Sequence, residues 1–278
     1  MVKSTGRKIS QISFSGDDLH KRVGFVPFLN QSAFSDPLLA KTFQQRLSEQ
    51  FAEICSNQRQ AGESGTLATL PMLENGLADN LALAAEGRLL GLNAVVTGAV
   101  ISVGALERSE GWFWFKGPQA YAQVRVATDV YDTLTGAKLL YESISTEIEI
   151  DEDQYEAIKA GKVNNEPAVE TAMMELAERS AEQICESLSQ IPWVGYVIAA
   201  KGSNVTLAAG ADAGLESGQI FDVFHSQQVY TGNSGQAFFV PDLAAGQIRI
   251  TTVSPDRAEA ESISGEPPVV GDAVRLVD

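Results

Sequence analysis

The 278-residue chain contains no run of eighteen apolar residues, so no segment is expected to cross a bilayer as a helix. Its opening residues, MVKSTGRKIS, have neither the apolar core of a secretory signal nor a cysteine that could carry a lipid. That leaves a cytoplasmic protein, or an exported one whose targeting segment is missing from this sequence. Basic residues are scarce, 20 Lys and Arg against 36 Asp and Glu, and the net charge of −16 excludes the cationic footprint that nucleic-acid phosphates require. Histidine is nearly absent. His20 stands in a polar arm and His225 just past an expected strand, and no Gly-x-Ser-x-Gly elbow accompanies either, so surface or capping roles are expected for both.

With two cysteines there is no disulfide framework. Cys55 and Cys185 both fall on expected helices. They read as buried free thiols, or as a single bridge if the compartment is oxidising and their Cα atoms approach within about 7 Å. An acidic run, Asp151-Glu-Asp153-Gln-Tyr155, begins like a calcium loop but lacks an oxygen ligand at the fifth position and glycine at the sixth, and Lys162 takes the closing acidic position. A solvated turn fits better. No metal-ligand set and no cofactor fingerprint emerge, and the many carboxylates single out no catalytic pair.

What the chain does have is 44% hydrophobic content, enough to fill packed cores. The organising stretch is 81–103, LALAAEGRLLGLNAVVTGAVISV, a helix that turns directly into a buried strand. Ala82, Ala85, Leu89 and Leu92 recur at helical spacing, Gly91 suits a helix exit at positive φ, and Ala94 to Val96 begin a strand too apolar to face water. Gly87 and Gly98 read as sites of close helix-on-sheet approach. A phosphate cradle would need its glycines between a strand and a following helix, the reverse of the order here.

In chain order, residues 1–20 form a loosely ordered arm in which Ile9, Ile12 and Phe14 could add an edge strand. A short strand is expected at 23–28. Ser35-Asp36-Pro37 then opens a helix with Leu39, Phe43, Leu47, Phe51 and Ile54 on one face. Residues 58–65 read as a turn-rich break and 66–72 as a second edge strand. After the central helix and strand, alternation at Ala122, Val124, Val126, Thr128 and Val130, the turn 132–136, and Leu140, Ile144, Ile148 and Ile150 complete an antiparallel meander. A last helix opens at Asn165-Glu166-Pro167, carries Val169, Met173, Leu176, Ile184, Leu188 and Ile191, and is stopped by Pro192. The expected fold class is α+β: an α/β sandwich over 21–191, a mixed sheet with three helices in the order β-α-β-α-β-β-β-α. From 193 to 278 the pattern changes to six short strands (194–199, 204–207, 219–224, 247–253, 257–263 and 272–276) divided by glycines, a small SH3-like β-barrel that should fold as a separate unit.

Three pieces of the first part, Val23-Gly-Phe-Val-Pro-Phe-Leu-Asn30, Glu86-Gly-Arg-Leu-Leu-Gly-Leu-Asn-Ala-Val-Val-Thr-Gly98 and Thr133-Leu-Thr-Gly136, resemble the N-terminal α/β domain of TolB-like and CsgG-like bacterial envelope proteins. The second part, through Gly195-Tyr-Val197, Val205-Thr-Leu207, Gly210, Gly214-Leu215, Gly218, Phe221-Asp-Val223 and Gly271-Asp-Ala-Val-Arg-Leu276, is similar to the C-terminal domain of FlgT, a flagellar H-ring assembly protein. The resemblance implies a non-enzymatic protein of the periplasm or outer-membrane surface that assembles with other envelope proteins, or with itself in a ring. It implies no active site, no cofactor, no nucleic acid and at most peripheral contact with the outer membrane. A lipoprotein-type activator of a cell-wall enzyme is the alternative, and an enzyme using acidic residues the third reading. The expected partner-binding residues are the aromatic run Trp112, Phe113, Trp114 and Phe115, which puts bulky groups on both faces of a strand. Such a run either folds over its own sheet or docks on a partner.

Overall fold

A computed structural model describes residues 19–34, 36–61, 67–110, 117–164, 166–225, 228–232, 237–241 and 243–277. A mixed sheet forms its first part. Strand β1 (Lys21–Phe25) lies parallel to β3 (Gln58–Gln60) on one side and to β4 (Ala94–Glu110) on the other, and β2 (Leu29–Asn30) pairs further along β4. From β4 the chain continues antiparallel through β5 (Gly117–Asp132) and β6 (Lys138–Ile150), giving the order β3-β1-β4-β5-β6.

One face of this sheet is covered by α1 (Pro37–Ile54) and α4 (Pro167–Ser189), which pack side by side. Helix α1 is capped by Asp36, which accepts a hydrogen bond from the Leu38 N–H, and proline occupies the first turn as expected; Ser35, the expected capping hydroxyl, lies outside the described residues. Phe43, Leu47 and Phe51 of α1 and Met173, Leu176, Ile184 and Leu188 of α4 are buried against Val96, Val100, Val124, Val126 and Val130. Phe25 meets Phe51 edge to face at 5.6 Å. At Gly98 a Cβ would collide with the Phe28 ring, so the small residue is what lets Phe28 lie against β4. The opposite face is polar beyond its first rungs, with Arg108 bidentate to Glu147 at 2.6 Å and Gln123 on the same carboxylate.

Helix α2 (Asn80–Leu89) covers the start of that second face, over a smaller cluster containing Val26, Leu67, Leu83, Leu92, Val95 and Tyr131. Its buried face is Leu83, Ala84, Gly87 and Arg88, which corrects the expected stripe: Leu89 is 59% exposed and Ala85 faces water. The arginine takes the inward position because its hydrogen-bonding partners lie inside. The edge strand is also moved. It is Gln58–Gln60, within the expected break, whereas Met72 makes one bridge to Ala78. Polar residues suit an edge strand, which has no second neighbour to bury it.

A further helix, α3 (Glu152–Lys159), replaces part of the expected acidic turn, so the described residues contain four α-helices where three were expected. Asp151 and Gln154 form a capping box and Glu152 and Asp153 sit at the positive helix end, so the acidic run is a helix start. Cys55, the residue that closes α1, is bridged to Cys185 of α4, with Cα atoms 5.7 Å apart. The buried-free-thiol reading is thereby corrected; the bridge was the other alternative.

Six strands close the second part into a barrel: β7 (Gly195–Lys201), β8 (Asn204–Leu207), β9 (Ile220–Phe224), β12 (Ala244–Val253), β13 (Ala258–Gly265) and β14 (Ala273–Leu276), in the order β12-β13-β8-β7-β14-β9. All six coincide with expected strands to within a few residues. Trp193, Val197, Leu207, Phe221, Val223, Ile248, Ile250 and Val274 fill the interior. Leu19 joins this cluster, and the His20 N–H donates to Ala213 O, so the last two residues of the expected arm belong to the barrel. Ile9, Ile12 and Phe14 lie outside the described residues. A hairpin absent from the expected pattern, β10 (Gln228–Thr231) and β11 (Ala237–Val240), leaves the barrel between β9 and β12, and among the described residues its strands pair only with each other.

The bridge closes a loop of 130 residues, for which chain entropy alone assigns about 5 kcal/mol of stabilisation as an upper figure. Native protein under non-reducing conditions should show no thiol titre, and Cys55→Ser/Cys185→Ser should unfold at lower urea by about 2–5 kcal/mol. A thiol titre of two with unchanged stability would contradict the bridge.

Candidate functional site

Several buried polar side chains converge where the sheet meets the barrel, and the meander turn organises them. Within Asp132-Thr-Leu-Thr-Gly136 the Asp132 carboxylate accepts from the Leu134 N–H at 3.0 Å, the Thr135 N–H at 3.1 Å and the Thr135 hydroxyl at 2.6 Å. Gly136 supplies the positive φ of 73° that closes the turn. The turn thereby holds its Thr133 and Leu134 carbonyls toward α2, where Arg88 donates to both, to Thr133 O at 2.8 Å. Gly87, one residue earlier, lets the helix come this near, since a Cβ there would meet the Thr133 methyl at 2.5 Å.

From the barrel side Tyr196 enters the same cluster, its hydroxyl 2.9 Å from the Thr133 hydroxyl, which bonds Leu92 O in turn. Burial pushes the Tyr196 phenol far above its ordinary value, so it remains a hydroxyl at any ordinary pH. Burial lowers the Arg88 guanidinium, which nevertheless stays a cation. Leu134, Val194, Tyr196 and Ala273 complete an apolar patch shared by both parts. Asn93 ties in the next layer: its Oδ1 accepts from the Arg22 N–H at 2.9 Å and its Nδ2 donates to Val194 O at 2.8 Å. Gly91, at φ 68°, faces the Ala208 carbonyl so closely that no side chain fits.

The β10–β11 hairpin reaches back over the sandwich. Its Phe239 N–H donates to Thr135 O at 2.9 Å, Ala237 O accepts from Asn80 Nδ2 at 2.9 Å, and the Phe239 ring lies 4.1 Å from the Arg88 guanidinium carbon. Val229, Tyr230 and Val240 on it remain between 42% and 58% exposed. The buried charged side chains Arg88, Asp132 and Asp272 are all engaged. His225 lies between Asp272 at 3.0 Å and Glu266 at 3.3 Å, and the hydrogen bond to Asp272 raises its pKa above the ordinary histidine value. A cleft of 560 Å³ at the end of α4 offers Lys21 and Arg275 as its ionisable groups, with no carboxylate or histidine in its lining. Among the described residues no three His, Cys, Asp or Glu side chains converge on a metal position.

Of the residues expected to bind a partner, Trp112, Phe113, Trp114 and Phe115 lie outside the described residues. The strands on either side of them pair as far as Glu110 with Gly117, beyond the end of β6, whose last rung is Ile150 opposite Ala120. His20 uses its backbone, accepting from Trp193 Nε1 at 3.2 Å. The junction residues Arg88, Asn93 and Tyr196 were not singled out by function. The signal available was that two of the stretches carrying the family resemblance, 86–98 and 133–136, are the two that meet here.

No protein-family model matches the sequence, and no curated protein matches it. Solved structures do. A hypothetical protein of Chlamydia trachomatis, CT253, aligns over 61% of this chain and 98% of its own at 11% identity and a TM-score of 0.40. A minor lipoprotein of Acinetobacter baumannii aligns over 62% and 97% at 10% identity and TM-score 0.32. TolB of the same organism aligns over 91% of this chain and 62% of its own at 12% identity and TM-score 0.33.

Replacing Arg88 by Met should leave two buried carbonyls without a donor and cost about 2–4 kcal/mol in urea unfolding, against about 1 kcal/mol for Tyr196→Phe. Because the His225 pKa is raised on folding, its contribution is complete below about pH 6.5 and is lost as pH rises through the raised value. The stability difference between the wild type and His225→Gln should therefore shrink from about pH 6 to pH 8, and NMR titration should place the His225 pKa above 6.5.

Proposed function

We propose that this chain is a non-enzymatic assembly or scaffold protein of the bacterial cell envelope, acting through protein–protein contacts in a complex of the flagellar-ring or secretion type. In this reading it has two modules, 21–191 and 193–278, of the TolB- or CsgG-like and FlgT-like kinds. The observation that carries the reading is the use made of buried polar side chains. Asn93 and Thr133 bond across to Val194 and Tyr196 of the barrel, and Arg88 and Asp132 shape the turn from which Thr133 does so, while the β6 edge stays open among the described residues and the β4–β5 pairing runs past the end of β6. A protein organised in this way presents surfaces in a fixed relation to one another, as a scaffold must. The Cys55–Cys185 bridge supports an oxidising compartment and so the periplasm. No described helix is long and apolar enough to cross a membrane.

Crosslinking in native cells followed by capture from envelope extract, with light scattering on the purified chain, tests this. Specific co-captured envelope proteins or a defined oligomer are expected, and a strict monomer that captures nothing would overturn it. Trp112→Ala/Trp114→Ala should abolish capture with the melting temperature unchanged. Loss of both together would assign the aromatics to packing.

A further inference from the structure

Strand β6 ends the sheet. Its neighbour is β5, and among the described residues no other strand pairs with it over its 13 residues, so its outer row of backbone N–H and C=O groups is open. Directly beside this edge, between β6 and the last turns of α4, runs a shallow groove of 440 Å³ lined by Leu140, Tyr141, Glu142, Gln183, Glu186 and Gln190. The charge of its lining is one-sided, with Glu142 and Glu186 and no lysine or arginine. Gln183 Nε2 donates to Glu142 Oε1 at 2.6 Å, and among the described residues the buried Glu142 Oε2 and Gln183 Oε1 have no hydrogen-bond partner. Glu186, exposed in the lining, adds a second carboxylate that has no ion pair among the described residues, and the last turn of α4 contains no basic residue to offset the negative end of its dipole. The cation nearest in sequence on β6, Lys138, is paired with Asp129 at 3.1 Å. Two carboxylates at the C-terminal end of a helix, with no basic residue in the groove's lining and an unpaired strand edge beside them, describe a complementary ligand: backbone for the edge, and a positive group with several N–H donors for the carboxylates.

We infer that the β6 edge and the β6–α4 groove form a docking site for an extended segment of a partner protein that adds a strand to the sheet and places an arginine side chain against Glu142, Gln183 and Glu186. Pairing with β6 supplies sequence-independent affinity, and the groove selects the basic residue. A guanidinium fits this set better than an ammonium because its planar donors span two acceptors held in fixed relation. Tyr141, 69% exposed on the edge strand, holds the Lys138 ammonium 5.1 Å from its ring centroid. This inference deepens the protein-binding reading above and rests on it for its biological setting, but it is tested on the isolated chain.

The probe is fluorescein-labelled Thr-Val-Arg-Val-Thr-Val, with two controls: the same peptide with Glu for Arg, and an arginine version N-methylated at alternate amides so that it cannot pair as a strand. Fluorescence anisotropy should show saturable binding of the probe and at least tenfold weaker binding of both controls. Glu142→Gln and the surface substitution Glu186→Lys should each weaken the arginine probe at least threefold with melting temperatures unchanged. Hydrogen exchange should slow in residues 138–150 on binding. Absence of binding, equal affinity for the Arg and Glu peptides, or protection of residues 228–231 in place of β6 would overturn the assignment. So would a dimer, detected by light scattering, that both substitutions dissociate, since a second copy would then occupy the edge. If the probe fails while envelope capture persists, the groove assignment falls alone; if capture fails while the probe binds, only the scaffold reading falls.

Discussion

The hydrogen bonds from Arg88 to the Thr133 and Leu134 carbonyls are the constraint on which the arrangement of this molecule depends. An arginine is almost never this deeply buried unless its donors are matched, and here the carbonyls of a tight turn do the matching. Every feature around it follows from that requirement. The turn must present its carbonyls inward, so Asp132 takes up the turn's own N–H groups and Gly136 closes it. Helix α2 must approach the turn, so position 87 has no side chain. The open face of the guanidinium must be covered, and Phe239 from the barrel's hairpin covers it. The turn and helix belong to the sandwich and the cover to the barrel, so one buried cation couples the two.

That coupling is polar where an ordinary interior is apolar, and the difference has structural consequences. Apolar contact is non-directional and tolerates sliding, whereas hydrogen bonds from Asn93 to Val194, Arg22 to Ala208, and Tyr196 to Thr133 specify one relative placement. Leaving any one unmade would strand a buried polar group, so intermediate placements are penalised more than either the docked or the fully separated state. A junction of this kind holds the two parts in one set geometry.

Much of the fold was legible because period and punctuation were unambiguous. The stripe from Leu39 to Phe51, the alternation from Ala122 to Ile150, and the glycine-divided barrel strands all return as elements close to their expected limits. The failures share a cause. Gln58–Gln60 carries no apolar pattern because an edge strand makes no such demand, and α3 is held by a capping box more than by an apolar face, with Ile158 its one buried residue. On α2 the apolar period pointed to Leu89, but the helix turns its arginine inward. Hydrophobic spacing cannot register a buried cation whose partners are backbone carbonyls forty-five residues away. Because such partners are backbone groups, no residue type in the sequence marks them.

The bridge between Cys55 and Cys185 bears on how the sandwich and its free edge behave together. It joins the end of α1 to the penultimate turn of α4, and so fixes the helix layer at the end where β6 and α4 frame the acidic groove. Gln183, which lines that groove, lies two residues before Cys185, and Glu186 one residue after it. A covalent tie at that turn limits how far the groove can widen or close and holds its acceptors near the β6 edge without help from a ligand. Binding there would not have to order the helix first, and the entropy otherwise lost in doing so would remain in the affinity. Reducing the bridge would remove this restraint from the helix that borders the β6 edge while leaving the strand itself untouched.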